Sequence, residues 1–461
     1  MKRRDSVRGL VAGCLGAALV FACAGCGLFG GDDDGGTEAP KPEKPAKNVI
    51  LMIGDGMGPS QVTLGRLAGP GVHEGLAMEK TTFVGLVKTY SASALVTDSA
   101  AAGTAFSTGR KTKNLVVGKG PDGADLEVLA EWCHKKKKAV GLVTTTSVTH
   151  ATPACFATHC DDRKGEKLIA EQYLTTEVDL FFGGGLVHFP EVLQKQFRDK
   201  GWSFLRSRAE FLDCREGRVI GLFADRHMDY EVDRDAAVQP SLEEMTQKAL
   251  QLLHKSEDGF FLMIEGGRID MACHGHDAAT MVKDLVAFDK AIATVLAFAE
   301  RDDNTLVLVT ADHATAGLAI TEKVAIDRLR AQTMSAEKMG QLVAEGKRPL
   351  ADVVREHAGF EISDELLAQI EELRKKVETV PGASDDAKRF ALQNAIGHIL
   401  SQASGVQFIP VEVQATHVIT KGHDGTDVSI YAWGPHAGDF TGVLDNTDVG
   451  ARIRRAMEAG K

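Results

Sequence analysis

Six short, almost continuously apolar runs recur between Asn48 and Asp312: NVILMIG, AVGLVTTT, VDLFFGG, RVIGLF, GFFLMIEG and TLVLVTAD. A strand with one wet face alternates apolar and polar residues, so runs that are apolar at both parities belong to strands covered on both faces. Between them lie amphipathic stretches; in the clearest, Met281, Leu285, Phe288, Ile292, Val295 and Leu296 recur at three- and four-residue spacing, the period of a helix. This alternation predicts an α/β fold, a mostly parallel central sheet flanked by helices on both faces. In such sheets ligands bind beyond the carboxyl ends of the strands.

That rule sorts the polar residues. Asp55 follows the first run, His150 and Thr152 follow the second, Glu265 ends the fifth, and Asp312 with His313 ends the sixth. One acid at a strand end is ordinarily a loop or cap residue. Four strands delivering acids, imidazoles and hydroxyls to one edge predict a site.

The chain has 461 residues, 44% hydrophobic and 25% charged, a composition that fits a globular protein and excludes wholesale disorder. One large domain with insertions, or two domains, accounts for the length. The formal charge of -11 argues against nucleic acid as a partner, because a binder of the phosphate backbone needs surplus Lys and Arg.

Residues 1–26 read as an export signal: Lys2, Arg3, Arg4 and Arg8 precede an apolar run from Leu10 to Ala24 that is too short for a membrane span. The end, ACAGC, resembles a bacterial lipobox with Cys26 as the lipidated residue, although Cys23 stands where Leu is usual; ordinary signal cleavage is the alternative. The expected location is periplasmic or cell-envelope, with a lipid anchor as the one membrane contact. Residues 27–47, with three consecutive aspartates and no apolar periodicity, read as a solvated tether. The catalytic domain is then 48–461.

Within it, the stretch at about 320–414 breaks the alternation with charged helical segments (SAEKMGQLVAEG, DELLAQIEELRKKVE, DAKRFALQNAIGHILSQA) and reads as a helical insertion over the active-site edge. The sheet is expected to resume with ATHVIT and DVSIYAWGP, and NTDVGARIRRAMEA to close the chain as a helix. Cys133, Cys155, Cys160, Cys214 and Cys273 lack paired CxxC spacing, so they make no cysteine zinc motif, and their pairing is not legible.

Zinc accepts imidazole and carboxylate together, while magnesium wants oxygen. Asp270 and His274 are four apart, so one helical turn presents both to one ion. Asp312 and His313 at a strand end suit a second. Ser99 opens an Ala-rich helical stretch, where free amides and the helix dipole favour an anion. Read alone, the segment favours the plainer reading, in which Ser99 or Asp98 is a helix N-cap.

GDGMG around Asp55, TDSAAAGTA around Ser99, HATPA from His150, EGGRID around Glu265, TADH ending at His313 and KGHDGTDVSIYAWGP together resemble the signature blocks of the alkaline phosphatases, in that family's order. The resemblance implies hydrolysis of phosphate monoesters at alkaline pH (EC 3.1.3.1) through a phosphoserine on Ser99, with two Zn2+ and one Mg2+ as cofactors. It implies that Asp270, His274 and His423 hold the first zinc. Asp55, Asp312, His313 and the Ser99 oxygen surround the second, while Asp55, Thr152 and Glu265 hold magnesium. Arg163 is implied as the phosphate clamp, with His150 beside the substrate and magnesium. Family members are usually dimers, but an insertion of this kind can replace or create that interface, so a homodimer is one outcome and the subunit count is not legible. Related phosphodiesterases and sulfatases use the same metal framework; Arg163 and the Asp98–Ser99 pair favour the monoesterase.

This chain departs from the family at a few places. His150 is Asp in some members and goes with weaker discrimination between magnesium and zinc. Met271 stands where Lys, His or Trp is found, Thr315 where an acid or histidine is frequent, and Asp424 where Thr is usual. His276 is expected outside the metal site and Cys273 in the packing.

Overall fold

The six apolar runs all become strands, and they are neighbours. The computed structural model describes residues 44–417 and 419–458, so the export signal with Cys26, and most of the tether, lie outside the described residues. The strands are β1 (Asn48–Ile53), β2 (Phe83–Lys88), β3 (Ala139–Ser147), β4 (Leu180–Gly184), β5 (Ser203–Leu205), β6 (Val219–Leu222), β7 (Phe260–Glu265) and β8 (Thr305–Thr310). With the C-terminal strands Val428–Trp433 and Gly442–Asp445 they form one ten-stranded sheet. Across it, β8, β1, β7, β3, β4, β6 and β5 lie side by side in that order and pair in parallel.

β1, β7 and β8 are buried at every residue, which requires cover on both faces. Helices supply it, among them Leu242–Leu253 and Ala278–Ala299, whose predicted apolar stripe from Met281 to Leu296 is buried.

β2 was not read from the sequence, while DVSIYAWGP forms the strand expected of it. Val428–Trp433 runs antiparallel between β2 and β8, and its burial alternates residue by residue, as expected of a strand with one face toward solvent. β2 likewise exposes Phe83, Val84 and Leu86.

The register fixes the site. Ile53 pairs with both Glu265 and Thr310, and Thr144 pairs with Glu265. The carboxyl ends of β8, β1, β7 and β3 are therefore level, and everything just beyond them meets at one edge.

Residues 320–414 form seven helices, Ile326–Ala331, Ala336–Ala344, Leu350–His357, Asp364–Thr379, Asp385–Arg389, Ala391–Ala403 and Val411–Gln414, packed around an apolar cluster of their own that includes Met339, Val354, Ile370 and Ile396. The predicted helix from Asp386 to Ala403 is broken at Phe390 into two. A two-residue ribbon pairs Val406–Gln407 with Ala319–Ile320. ATHVIT forms no strand in its described residues: Ala415 and His417 bond back to Val411 and Gln414, turning the chain off the preceding helix. Lys421 (φ 53°) and Gly422 (φ 108°) then reverse it so that His423 enters the site. The helix Asn446–Glu458 closes the described chain, and Ala46, assigned to the tether, is buried with its amide bonded to the Ala456 carbonyl at 2.9 Å.

Candidate active site

Asp98 and Ser99 divide the tasks that the sequence left open between them. Asp98 is the N-cap of the helix Ser99–Thr108, its Oδ1 accepting the Ala101 amide at 3.0 Å. Ser99 is spared that work, and its hydroxyl, 1% exposed, lies 3.2 Å from His313 Nε2. The other oxygen of Asp98 accepts from Arg163 Nη1 at 3.2 Å, while Arg163 Nη2 lies 2.9 Å from His150 Nε2. Arg163 is thus held at the nucleophile's helix although it arrives from a loop, where its amide bonds to Leu115.

Asp55, Asp312 and His313 form one buried group whose candidate ligand atoms lie within 4.8 Å of one another. His313 Nε2 is 3.4 Å from Asp55 Oδ1 and 3.2 Å from Asp312 Oδ2. Oδ1 of Asp312 accepts the amides of Gly56 and His313. Gly56 sits at φ +66°, and a Cβ there would lie 2.6 Å from Asp270 Oδ1 and Thr315 Oγ1, so the turn after β1 requires glycine.

Asp270, His274 and His423 form a second group. His274 Nε2 lies 3.1 Å from Asp270 Oδ2 and 3.3 Å from His423 Nε2, and His423 Nε2 lies 3.8 Å from Asp270 Oδ1. His313 is close enough to join this group as well, its ring 3.6 Å from that of His423 centroid to centroid. A third group joins Asp55, His150 and Glu265. Thr152, in the short helix Ala151–Cys155 after β3, is fully buried.

These groups fit cations. Among the described residues, both oxygens of Asp55, Oδ2 of Asp312, Oε1 of Glu265, Oγ1 of Thr152 and Nδ1 of His150 are buried without a hydrogen-bond partner. Leaving such atoms dry and unpaired is costly; metal ions satisfy the oxygens together, while Nδ1 of His150, whose Nε2 accepts from Arg163, carries the ring proton. Burial, then the neighbouring Asp312, drives the Asp55 carboxyl well above its usual range. Burial also pushes Glu265 up to about 7, against the hydroxyl of Thr144, which donates to it. Asp270 behaves oppositely: burial opposes ionisation, but the imidazoles of His274, His423 and His313 outweigh it and hold the carboxyl well below its usual range.

The three histidines are set as ligands need to be. Nδ1 of His274 lies 2.8 Å from the Lys421 carbonyl and Nδ1 of His423 lies 2.9 Å from the Thr97 carbonyl. Carbonyls only accept, so each Nδ1 carries the proton and each Nε2 keeps its lone pair for the site. Thr315 gives its hydroxyl proton to Asp270 Oδ1 at 2.6 Å and accepts from His313 Nδ1 at 3.2 Å, fixing the third ring likewise.

Thr144 and Thr146 escaped the sequence reading. Both hydroxyls reach Glu265 Oε2, and the available signal was a run of threonines at the end of a buried strand. Met271, half-buried, places its sulfur 3.1 Å from Arg268 Nη1. Asp424 accepts the amides of Gly317 and Thr426. His276 is buried among His398, Gln414 and Phe408, away from the three groups. Cys273 is buried against Gln61, and all five described cysteines are free.

A parallel-stranded α/β sheet that gathers buried carboxylates and imidazoles around a helix-terminal serine defines a metal-binding hydrolase. The profile of the alkaline phosphatases matches residues 46–459. Alkaline phosphatase 3 of Bacillus subtilis is 34% identical, over 89% of this chain and 89% of its own length. The structure of Thermus thermophilus alkaline phosphatase superposes with a TM-score of 0.79 at 29% identity, covering 94% of this chain and 96% of that one. A histidine-to-glutamate variant of TAB5 alkaline phosphatase with magnesium bound in its M3 site gives a TM-score of 0.64 at 27% identity, over 91% of this chain and 100% of that one. The chain belongs to the alkaline phosphatase family, a family of phosphomonoester hydrolases.

Proposed function

We propose that this enzyme hydrolyses phosphate monoesters at alkaline pH with Ser99 as its nucleophile and Arg163 as its phosphate clamp. Two zinc ions fit the sets Asp270, His274, His423 and Asp55, Asp312, His313 with the Ser99 oxygen. A magnesium ion fits Asp55, Thr152 and Glu265, with His150 beside it. When bound, these cations supply the positive charge that a dianionic ester and an ionised serine require.

The observation that carries the reading is the 3.2 Å approach of Ser99 Oγ to His313 Nε2, whose lone pair is directed inward because its Nδ1 is occupied by Thr315. Serine oxygen and imidazole face one point, as two ligands of one cation must.

The chain's own groups account for the rest. Asp98 caps the helix and so aims its positive N-terminal end at the phosphoryl group. Asp98 and His150 hold the Arg163 guanidinium in place, ready for a bidentate contact to two non-bridging oxygens. A bond forms from Ser99 Oγ to phosphorus as the ester P–O bond breaks and the alcohol leaves; water then cleaves the Ser99 phosphoester, releasing inorganic phosphate and restoring the hydroxyl.

Acid quenching during turnover of an aryl phosphate tests this directly. Mass spectrometry should find phosphate on Ser99, and Ser99→Ala should lose activity by several orders of magnitude. Full turnover by that variant overturns the assignment.

We further propose export to the periplasm or cell envelope with a lipid on Cys26, a reading supported by the basic start, the apolar run and the Ala-Gly-Cys end of residues 1–26. Cys26→Ala should move the enzyme from the membrane fraction to the soluble one.

A further inference from the structure

The helical insertion reaches the site through a chain of four side chains. Gln414 Nε2 donates to the backbone carbonyl of His274 at 2.7 Å. Gln414 Oε1 meets His276 Nε2. His276 Nδ1 lies 2.9 Å from His398 Nδ1, and His398 Nε2 lies 2.8 Å from Gln402 Nε2. An amide nitrogen only donates and an amide oxygen only accepts, so the direction of every bond is fixed. Gln402 donates to His398 Nε2, His398 Nδ1–H to His276 Nδ1, His276 Nε2–H to Gln414 Oε1, and Gln414 to the His274 carbonyl. Both imidazoles take part as neutral rings, each protonated on one named nitrogen.

The backbone underneath needs this support. His276 has φ +54°, a left-handed conformation that a non-glycine residue holds only when its surroundings impose it. The insertion imposes it from two sides. Ser401 Oγ donates to the His276 carbonyl at 2.7 Å and accepts the Ala278 amide at 3.0 Å. Gly397 brings the helix Ala391–Ala403 so close to the turn that a Cβ would collide with the Gly275 carbonyl. The strained turn immediately follows His274.

We propose that Gln414, with His276 and His398 behind it, is a positioning residue for the metal site: the insertion sets the His274 imidazole by holding the peptide that carries it. This rests on the reading of Asp270, His274 and His423 as zinc ligands. The insertion is then a brace for one ligand rather than an ornament. Partners that orient metal ligands commonly contribute ten- to a hundredfold in affinity.

The test is zinc binding to the full metal-stripped chain, with zinc alone as the probe and a chromophoric chelator as competitor. Gln414→Met keeps the side-chain length and removes both bonds. It should weaken one zinc equivalent about ten- to a hundredfold, the same equivalent that His274→Ala abolishes. His398→Phe should weaken that equivalent less, because Gln414 still reaches the His274 carbonyl. The visible spectrum of the cobalt-loaded protein should change in Gln414→Met, and the thermal midpoint of the metal-free protein separates positioning from folding. A lowered midpoint with unaltered zinc affinity and cobalt spectrum overturns the inference and leaves a purely structural bridge. If Gln414→Met does not fold, Ser401→Ala, which loosens the same turn, takes its place with the same expected loss. A wild-type chain that binds no zinc sinks the ligand reading itself, a result distinct from a wild type and Gln414→Met that bind zinc alike.

Discussion

The hydroxyl of Thr315 donates to Oδ1 of Asp270 at 2.6 Å. That bond crosses between the two candidate zinc groups, because the same hydroxyl accepts from His313 Nδ1. Thr315→Val removes it without changing the side chain's shape. Zinc affinity should fall by about ten- to a hundredfold at both groups together, read by competition with a chelator, while Thr315→Ser should stay near wild type. A loss confined to one group would show that the hydroxyl serves only that side.

Asp98 and Ser99 separate stability from chemistry. Loss of the cap in Asp98→Ala should cost about 1 kcal/mol, further raised by freeing Arg163 from its partner. Ser99→Ala gives up only its contact to His313 and should cost less than about 1 kcal/mol. Urea unfolding of the metal-free variants measures both. The expected pattern is a destabilised Asp98 variant with residual activity and a stable Ser99 variant with almost none.

Arg163 is held by Asp98 and His150 at its two terminal nitrogens, so its guanidinium plane is set before substrate arrives. Arg163→Lys keeps the charge and loses the fork. Bonds to charged groups contribute about 1.5–3 kcal/mol, so KM and the inhibition constant for inorganic phosphate should both rise by about ten- to a hundredfold. Equal KM values in variant and wild type would remove Arg163 from the phosphate site.

Cys133 bears on stability at the alkaline pH where the family works. Burial pushes its thiol up to about 12. The unfolded chain ionises that thiol from about pH 8.5 while the folded chain keeps its proton, so the contribution is whole below that pH. It is lost as pH rises toward 12, by about 1.4 kcal/mol per pH unit. Cys133→Ala should flatten the fall in urea midpoint between pH 9 and 11. Iodoacetamide should label the partly exposed Cys214 well before Cys133 in the folded chain.

Local pattern carried much of this molecule. β1, β3, β7 and β8 are legible because strands covered on both faces are apolar throughout, and Asp55, Thr152, Glu265, Asp312 and His313 are legible because they end or closely follow those strands. Arg163 and His423 have no such signal. Arg163 leaves a loop and acquires meaning only against Asp98, 65 residues earlier. His423 comes back after the whole insertion, pairing with Thr315 in a two-residue ribbon; family resemblance, not periodicity, pointed to it. β2 was missed because a half-exposed strand of six residues lacks a continuous apolar run, whereas its neighbour Val428–Trp433 was legible in DVSIYAWGP. The Gln414 brace was beyond reach for a similar reason: its amide acts on a carbonyl 140 residues away.

His150 decides which ion suits the third group. Its Nε2 accepts from Arg163, so the neutral ring keeps its proton on Nδ1 and offers no lone pair where magnesium wants oxygen, and burial, with Arg163 beside it, holds its pKa well below the usual value. The ring is therefore neutral and adds no charge to balance a divalent ion with Asp55 and Glu265. His150→Asp supplies both an oxygen and a charge, and it can still partner Arg163. The variant should need less magnesium for half-maximal activation than wild type and resist displacement of magnesium by excess zinc, measured by activity titration alongside metal analysis. Because aspartate ties Arg163 more firmly, affinity for phosphate should shift in the same variant; an unchanged magnesium requirement would place His150 with the substrate alone.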